Sequence, residues 1–385
     1  MSITHYYVRA TNGADVAGQG TTHATAYQTP QFALDDIGAT HGQGAEGDQI
    51  NICDAAVEGA NTLAGSLSLV AYGTPALARP LVFRGYTATA DDGGVGEIDC
   101  GGNPLFAAVY SCVTLIHLHC HTFGDNNGIT LSASSTNTGG VFYCEVDKGA
   151  SSPSAKTLVA NSIALVGCYL HDAGTGGRAA SNCLHTWGNF VTGCRNGIGP
   201  GYSLVNNIIV LTENGGTGII TWQYVDNVIS NNIVYSTVAN TGNGIYVYDT
   251  SGRMVNIIQN NIICGFSGAG GSAVRLDGEN VQILGYNALY NNTNNLTYGA
   301  GGMPYLIDLT AHDVALAADP FTDAANGDFS LTEAARTALA AKGWPTSYLG
   351  AHANTVPNLN IGPIQMAASA GGSSVYRRVM RLIGG

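Results

Sequence analysis

Short apolar runs separated by Asn, Gly and Ser recur along the middle of the chain at nearly constant intervals. An Asn stands directly before an apolar strand-like run at Asn207, Asn232, Asn261 and Asn287, at nearly even spacings. Strands that return at such an interval stack on their equivalents, and each coil then advances by about 4.8 Å. The pattern therefore predicts an all-β fold, a parallel solenoid of roughly ten coils of about 25 residues.

Three cysteines extend the same repeat toward the N-terminus. Cys120, Cys144 and Cys168 follow one another at two equal intervals, and apolar residues flank them. This spacing predicts three consecutive coils in which the cysteines point inward and lie on one another. Asn side chains repeated at one corner can form a ladder in which each amide bonds the next. We thus predict a structural ladder built from these three cysteines and the four asparagines.

Both ends of the repeat carry features of caps, which a solenoid needs in order to cover its open edges. An N-terminal cap is predicted over residues 1–48, made of a strand, a loop and a short helix with Pro30 at its first position. The parallel β-helix is predicted over residues 49–315, although residues 183–202 break its register. A C-terminal capping region with a short helix after Thr332 is predicted over residues 316–366, followed by a linker and a basic amphipathic tail over residues 367–385.

The composition favours association of the chain with copies of itself. Only 10% of the 385 residues are charged, against roughly 25% in ordinary soluble domains, so little charge protects the surface against contact with another copy. The net charge of −12 argues against a nucleic-acid partner, which would require a basic face. The nine cysteines stand singly rather than in close pairs, so we expect them to be buried and reduced, with no metal and no cofactor bound.

The N-terminal residues lack the charged and then apolar pattern of a signal peptide. The chain also has no apolar run of about 18 residues, the length that a membrane-spanning helix requires. We therefore expect synthesis in the cytoplasm without a signal peptide, and no transmembrane segment.

The two ends of the chain carry recognisable elements. The opening contains Tyr7-Val-Arg9 and Gly47-Asp-Gln-Ile-Asn-Ile52, and the closing part contains Asp319-Pro-Phe321 and Gly327-Asp-Phe-Ser-Leu331. With these elements the chain resembles single-stranded right-handed parallel β-helix proteins of the pectin-lyase-like superfamily, closest in character to phage tailspike and fibre-type proteins. That superfamily contains polysaccharide lyases and hydrolases as well as non-catalytic surface proteins, so the fold alone does not choose a function. The family's hydrolase and lyase motifs are absent from the coil positions here, which favours the non-catalytic branch.

Polar residues alternate with apolar ones on three successive predicted strands, so they point to the outer face of the coils. The candidate residues of this face are His119, His121, Glu145, Asp147, His171 and, at a turn, Asp172. We expect His121 and Glu145 to be direct neighbours on adjacent coils, about 4.8 Å apart. Such a group could pair across coils and only support the fold, contact a sugar or run acid–base chemistry, or hold a metal; the first interpretation is favoured. A weaker alternative for a glycosidase pair lies near coil corners, at Asp226, Asp249, Asp277 and Glu279.

The C-terminal tail is a separate candidate for function. The predicted assembly tail consists of Val375, Tyr376, Arg377, Arg378, Val379, Met380, Arg381, Leu382 and Ile383. Its apolar residues favour one face of a helix and its three arginines another. A helix this short is unstable alone, so we predict that it orders only on docking. Docking on a neighbouring copy or on another virion protein is favoured; folding back onto the β-helix, or contact with a membrane surface or nucleic acid, are the alternatives.

Together these observations favour a structural, self-associating β-helix protein, a fibre, spike or decoration component of a phage or phage-like particle. A trimer and a filament both fit, and the final location is expected to be a virion or an extracellular particle. The alternative is a polysaccharide lyase, a hydrolase or a glycan-binding protein that uses the outer face of the β-helix to contact a surface polysaccharide.

Overall fold

The computed structural model describes residues 3–132, 139–149, 156–222, 226–248, 255–278, 281–299, 305–340 and 342–343. The chain divides into two compact units after Cys194. In each unit three parallel sheets, here called sheets 1, 2 and 3, are built from short strands that repeat in the same order. The predicted all-β parallel β-helix is thereby confirmed. The predicted assembly tail, residues 375–383, lies outside the described residues.

Unit 1, the N-terminal unit, contains sixteen described strands. They are β1 Thr4–Val8, β2 Asp48–Cys53, β3 Asn61–Thr62, β4 Leu81–Tyr86, β5 Gly96–Asp99, β6 Val113–Ile116, β7 Leu118–His121, β8 Ile129–Thr130, β9 Gly140–Phe142, β10 Glu145–Asp147, β11 Thr157–Ala160, β12 Ala164–Val166, β13 Tyr169–His171, β14 Arg178–Ser181, β15 His185–Trp187 and β16 Phe190–Cys194. Within this unit sheet 1 has the order β1-β2-β4-β6-β9-β12-β15, sheet 2 the order β3-β5-β7-β10-β13-β16, and sheet 3 contains β8, β11 and β14.

Unit 2, the C-terminal unit, contains seventeen described strands. They are β17 Asn196–Ile198, β18 Ser203–Val205, β19 Ile208–Leu211, β20 Thr217–Trp222, β21 Asn227–Ser230, β22 Ile233–Ser236, β23 Asn243–Tyr248, β24 Val255–Gln259, β25 Ile262–Cys264, β26 Ser272–Asp277, β27 Val281–Gly285, β28 Ala288–Tyr290, β29 Asn294–Tyr298, β30 Tyr305–Leu309, β31 Val314–Ala315, β32 Phe321–Asp323 and β33 Asp328–Leu331. Sheet 1 has the order β18-β21-β24-β27-β30, sheet 2 the order β19-β22-β25-β28-β31, and sheet 3 the order β17-β20-β23-β26-β29. Strands β32 and β33 form an antiparallel hairpin.

Short helices lie near the two ends of the described chain. Helix α1, Pro30–Asp36, begins after Thr29, whose side chain accepts a hydrogen bond from the Phe32 amide, and it has proline at its first turn as predicted. A four-residue helix, α2, spans Ala55–Glu58. Helix α3, Glu333–Leu339, is capped by the Thr332 hydroxyl. Strand β1 pairs directly with β2, so the strand expected in the N-terminal cap is already the first strand of sheet 1.

Inward-facing aliphatic and aromatic residues fill the core of each coil because successive side chains of a strand alternate between its two faces. In sheet 1 of unit 1, the register places Phe83, Leu115, Val141 and Leu165 on one another, and all four are fully buried. The stack continues with the buried Thr186 on β15. The core is thus a set of columns, each with one residue per coil.

A left-handed residue marks the corner between sheets 1 and 2 on successive coils. In unit 1 the corner residues His117, Tyr143, Gly167 and Gly188 have φ between 52° and 64°. In unit 2 the same corner is occupied by Asn206, Asn231, Asn260 and Tyr286, with φ between 57° and 61°. Asn tolerates this conformation better than most residues, which explains why the first Asn of each repeated Asn-Asn pair stands here. The residue after the corner turns inward and is buried in every one of these coils.

The register of the cysteines differs from the prediction. Strand β10 pairs with β7 so that Val146, not Cys144, lies on Cys120. Cys144 and Cys168 both occupy the position directly after the left-handed corner, whereas Cys120 lies further along its strand. The cause is the length of this coil, which runs from Cys120 to its sheet partner Val146 and is longer than the interval from Cys120 to Cys144. The difference is one inward–outward pair of residues, so the alternation of inward and outward side chains is preserved. All three cysteines are nevertheless buried.

The four asparagines form a continuous chain of hydrogen bonds inside unit 2. Oδ1 of Asn232 accepts from the backbone amide and the side-chain amide of Asn207, both at 3.0 Å. The same two contacts join Asn232 to Asn261, and Asn261 to Asn287, each again at 3.0 Å. All four side chains are buried, so each amide replaces the hydrogen bonds that water would otherwise supply. At the last coil Asp313 accepts from the backbone amide of Asn287 at 2.8 Å.

The stretch that breaks the predicted repeat begins in unit 1 as a short coil. Leu165 pairs with Thr186 in sheet 1, and Leu170 pairs with Val191 in sheet 2, so this coil is shorter than the preceding one, which joins Val141 to Leu165. Asn189 then occupies the position of Cys168 in the next coil, and its Oδ1 accepts from the Cys168 backbone amide at 2.9 Å. The change from cysteine to asparagine at this position therefore occurs within unit 1.

Candidate functional site

The candidate site lies on the outer face of sheet 2 in unit 1. Strands β5, β7, β10 and β13 each bury their central apolar or cysteine side chain completely, at Ile98, Cys120, Val146 and Leu170. The residues before and after that buried position point outward, as the alternation of side chains along a strand requires. We call the set Glu97, His119, His121, Glu145, Asp147 and His171 the histidine–carboxylate face.

Acids and imidazoles are direct neighbours across the coils of this face. His119 lies between Glu97 on β5 and Glu145 on β10 in the register of the sheet. Asp147 is the direct partner of His171. The expectation that His121 stands beside Glu145 is wrong, because the longer coil places Glu145 against His119.

The hydrogen bonds of this face run diagonally rather than between direct neighbours. His119 Nε2 lies 2.7 Å from Asp147 Oδ2, His121 Nε2 lies 2.9 Å from Glu97 Oε1, and His171 Nε2 lies 3.0 Å from Glu145 Oε1. Diagonal residues of adjacent strands are within reach of long side chains. Each of the three imidazoles is thus tied to a carboxylate of an adjacent coil.

The second ring nitrogens of two histidines have local partners. His121 Nδ1 lies 2.7 Å from Thr122 Oγ1, and His171 Nδ1 lies 2.8 Å from Asp172 Oδ2. His171 is therefore held from both sides, by Glu145 of the previous coil and by the neighbouring Asp172. The second partner fixes the ring plane, so the contacts of Nε2 are set by the backbone positions of the strands.

The pairing of His119 with Asp147 shifts the pKa of both groups. Burial of His119 opposes its protonation, but the hydrogen bond to Asp147 and the charges of Glu145, Asp147 and Glu97 raise its pKa above the ordinary histidine value. Burial of Asp147 favours its neutral form, but the hydrogen bond to His119, the charges of both histidines and the Gly149 amide lower its pKa. The pair therefore favours an imidazolium and a carboxylate.

The pairing of His171 with Glu145 acts in the same direction. The hydrogen bond from His171 is the main reason why the pKa of Glu145 lies below its ordinary value. Burial of His171 opposes protonation, yet the hydrogen bonds to Glu145 and Asp172 raise its pKa. Chemically, the face presents charge-assisted hydrogen bonds that stabilise the stacking of coils, and imidazoles that could exchange protons with a bound molecule.

Aromatic side chains border the histidine–carboxylate face. The rings of Tyr169 and His171 are stacked, with centroids 4.2 Å apart and 25° between their planes, and Phe190 follows on the next coil at 5.5 Å from Tyr169. At the corner beside the face Tyr143 is 49% exposed, and Trp187 at the end of β15 is 52% exposed. The Tyr143 ring covers Gly167, where a Cβ atom would lie 2.6 Å from it.

Two groups of three residues on this face bring metal-ligating atoms together. In the first group, Glu97, His119 and His121, the ligating atoms lie within 4.8 Å of one another; in the second the same holds for His119, Glu145 and Asp147. Glu97 was absent from the predicted candidates. Its strand, Gly96-Glu-Ile-Asp99, alternates outward and inward side chains in the same way as Leu118-His-Cys-His121. The interval from Ile98 to its sheet partner Cys120 is shorter than the interval from Cys120 to Cys144, so the repeat of the cysteines does not lead to Glu97. A search that allowed coil lengths to vary would have found it.

The acidic residues of the weaker alternative have structural partners where they are described. Asp226 Oδ1 accepts from the Val255 amide at 2.8 Å. Asp277 accepts from Tyr246 at 2.8 Å and from Arg275 at 2.9 and 3.1 Å. Asp249 and Glu279 lie outside the described residues.

Comparison with known proteins supports the fold. No family model matches the sequence, and no curated protein matches it. Among solved structures, the chain is similar to pectate lyase Pel9A, with a TM-score of 0.51 and 12% identity over 95% of this chain and 98% of that one. It also matches a tailspike protein mutant of E. coli bacteriophage HK620 in complex with pentasaccharide, with a TM-score of 0.43 and 14% identity over 77% of this chain and 65% of that one.

A third match is a GH136 lacto-N-biosidase from Eubacterium ramulus, with a TM-score of 0.36 and 15% identity over 82% of this chain and 67% of that one. The similarity to Pel9A, together with the three parallel sheets, shows that the chain adopts a parallel β-helix fold. In the described part of the chain, none of the helices reaches the length and hydrophobicity that crossing a membrane requires.

Proposed function

We propose that the chain is a non-catalytic, self-associating structural β-helix, a fibre, spike or decoration component of a phage or phage-like particle. The observation that carries the proposal is an apolar outer face on sheet 1 of unit 2. Val228, Ile257, Ile283 and Ile307 lie on one another on the outside of four successive strands.

A second outer row of the same sheet is also apolar. It consists of Val255, Val281 and Tyr305 in direct register. Of the two rows, Tyr305 is 74% and Ile307 52% exposed. The inward positions of these strands hold the buried Ile229, Ile258 and Leu284 together with the buried amides Asn227, Asn256 and Gln282. Monomeric proteins seldom expose a contiguous apolar patch such as the one on the outer side.

A second copy of the chain is the occupant that we propose for this apolar face. The two rows contain no charged residue, so two such faces can meet without the repulsion that a chain of net charge −12 creates elsewhere. A row of aligned apolar residues can pack on a neighbouring copy around a three-fold axis or along an open filament, two arrangements in which each copy contacts the next one in the same way. Assignment to a particle, and a final location in a virion or outside the cell, rest on the resemblance to phage fibre and tailspike proteins.

The test is the molar mass of the full chain in solution, measured by light scattering after size-exclusion chromatography. We expect the native chain to be a trimer or a filament and the double variant Val228→Glu, Ile307→Glu to be a monomer with an unchanged circular dichroism spectrum. Val70→Glu is the matched control. Val70 is 87% exposed in unit 1, so this substitution adds the same charge outside the apolar face, and we expect the molar mass of the assembly to stay at the native value. A monomeric native chain refutes the proposal, and a double variant that stays assembled refutes the assignment of the contact to this face.

A version ending at Ala370 separates this face from the assembly tail. If the truncated chain is monomeric while the charge variants remain assembled, the tail and not the apolar face joins the copies, and the assignment to this face is wrong. If truncation changes nothing and the charge variants dissociate, the face alone carries the association.

The exposed aromatic side chains favour a second candidate function, contact with a surface polysaccharide. Tyr143 and Trp187 present rings to solvent beside the histidine–carboxylate face, and sugar rings pack their C–H faces on such side chains while hydroxyl groups bond polar neighbours. A glycan array probed with the native chain and with Trp187→Ala tests this function. Binding that the variant loses supports it, and turnover of any bound glycan would replace the non-catalytic assignment with an enzymatic one.

A further inference from the structure

Besides the hydrogen bonds that join its coils, the histidine–carboxylate face brings together atoms that can bind a metal ion. We propose that Glu97, His119 and His121 form a binding site for a divalent transition metal of the zinc class. One ligating atom from each residue lies within 4.8 Å of the other two. Two imidazole nitrogens and one carboxylate oxygen are a set that such ions bind, and the imidazoles favour them over Mg²⁺ or Ca²⁺.

The sheet positions all three ligands on rigid backbone. Glu97 and His119 are direct partners on β5 and β7, and His121 follows His119 on the same strand and the same face. The rings of the two histidines have centroids 4.7 Å apart. Because the strands are held by neighbours on both sides, ion binding requires side-chain rotation and no rearrangement of the backbone.

The present distances are compatible with the entry of an ion. His121 Nε2 and Glu97 Oε1 are 2.9 Å apart, whereas two ligand atoms on a tetrahedral zinc ion with bonds of about 2.0–2.1 Å are separated by about 3.3 Å. Small rotations of the two side chains supply this difference. Three protein ligands also leave a coordination position open for water or for an oxygen of a bound molecule.

Neighbouring residues orient the ligands. Thr122 holds Nδ1 of His121, which directs Nε2 of that ring toward Glu97. Asp147 lies 2.7 Å from one nitrogen of His119 and fixes the plane of that ring. A carboxylate or hydroxyl on the second nitrogen is the arrangement by which proteins orient metal-ligating histidines.

The second group, His119, Glu145 and Asp147, is the weaker site. It offers a single imidazole, and Glu145 is already bound to His171 at 3.0 Å. All nine cysteines of the chain are buried, so thiolates do not compete for an added ion in the folded protein. These facts direct the experiment to Glu97 and His121, which belong to the first group alone.

The experiment is a calorimetric titration of the metal-free full chain with ZnCl₂, repeated on four variants. We expect a single zinc ion to bind the native chain and affinity to fall at least about tenfold in Glu97→Gln and in His121→Asn. Glu145→Gln and His171→Asn lie on the same face outside the first group and are expected to keep the native affinity. Cobalt added in place of zinc should give the intense visible absorption of a four-coordinate site in the native chain, and not in His121→Asn.

Three outcomes would overturn the proposal. The native chain binds no zinc; all four variants bind it as the native chain does, which identifies adventitious binding; or Glu145→Gln loses the ion while Glu97→Gln retains it, which moves the ion to the second group. Thermal unfolding of each apo variant establishes that it is folded before the titration. Glu97 is partly exposed, so Glu97→Gln serves as the test if His121→Asn does not fold. The result is independent of the association experiment, whose test substitutions at Val228 and Ile307 lie in unit 2.

Discussion

The side-chain oxygen of Asn232 receives two hydrogen bonds from Asn207, one from its backbone amide and one from its side-chain amide, each 3.0 Å long. A single buried oxygen therefore satisfies two donors of the preceding coil. The Asn232 side chain in turn donates to Asn261 and to the carbonyl of Leu204. The links from Asn207 to Asn232 and from Asn232 to Asn261 each join adjacent coils through a backbone amide and a side-chain amide.

Replacing Asn232 with leucine should destabilise unit 2. The substitution removes the oxygen that accepts two buried hydrogen bonds from Asn207 and removes a donor to Asn261, so we expect a loss of about 2 kcal/mol or more in the free energy of unfolding. Chemical denaturation measures this loss. Asn295→Leu, at an exposed position on β29, should change stability little. Equal effects of the two substitutions would show that the ladder contributes nothing specific.

The histidine–carboxylate face should stabilise the protein most in mildly acidic solution. The raised pKa values of His119 and His171 contribute stability that is complete below the ordinary histidine value, about 6.5, and is lost as pH rises through the raised values. The lowered pKa values of Glu145 and Asp147 contribute stability that is present above about 4 and is lost as pH falls through the lowered values.

The stabilisation is therefore expected to be largest between about pH 4.5 and 6.5. The measurement is the unfolding free energy of the native chain and of the double variant His119→Asn, His171→Asn, made inside this window and at pH values above neutral. Their difference should be largest inside the window and should shrink above neutral pH. His312→Asn, which removes an exposed imidazole of unit 2, is the control outside the face. A difference that grows with pH would contradict the pairing.

Two glycines at the same corner separate backbone strain from steric conflict. Gly167 and Gly188 have φ of 64° and 63°, but an added Cβ meets the Tyr143 ring at Gly167 and nothing within 4 Å at Gly188. We expect Gly188→Ala to cost about 1 kcal/mol through backbone strain alone and Gly167→Ala to cost more. In a Tyr143→Ala background the cost of Gly167→Ala should fall to that of Gly188→Ala. An additive result from this double-mutant cycle would refute the conflict with Tyr143.

Asp313 should destabilise the protein when it is ionised. Burial raises its pKa to about 6, despite the hydrogen bonds from Asn287 that favour the charged form. Below about pH 4, the pKa of the group in the unfolded chain, the carboxyl group is neutral in both states and does not reduce the free energy of unfolding. The free energy of unfolding is lost as pH rises through about 6, where the buried group ionises. Asp313→Asn should therefore stabilise the chain at pH 8, by about 1–2 kcal/mol, and leave it unchanged at pH 4. Thermal denaturation at the two pH values distinguishes this from a uniform effect.

The sequence predicted the structure well where the same type of residue recurs at the same position of successive coils. The asparagines at 207, 232, 261 and 287 follow a left-handed corner, and both the corner and the buried amide restrict which residues are tolerated, so the pattern is visible without a structure. The inward and outward sides of Leu118–His121 were likewise predictable from simple alternation.

The neighbours of the candidate site were not predictable in the same way. Coils of three different lengths succeed one another in unit 1, from Leu115 to Val141, from Val141 to Leu165 and from Leu165 to Thr186. A register that is wrong by one inward–outward pair of residues still assigns every side chain to the correct face, so the alternation does not reveal the error. A fixed interval therefore placed His121 beside Glu145 and left out Glu97. The diagonal hydrogen bonds depend on side-chain direction across coils, which no linear pattern contains.

The asparagine ladder also has a direction. Asn207, Asn232 and Asn261 each donate the backbone N–H and one side-chain N–H to the next asparagine toward the C-terminus, whose oxygen accepts both, much as monomers join head to tail in a growing polymer. Asp313 accepts from the backbone amide of Asn287, and once its carboxyl group is ionised its side chain has no hydrogen to donate. The ionised Asp313 therefore ends the ladder at the last coil, in the way that a chain terminator ends a polymer, because its side chain presents no donor to which a further coil could bond.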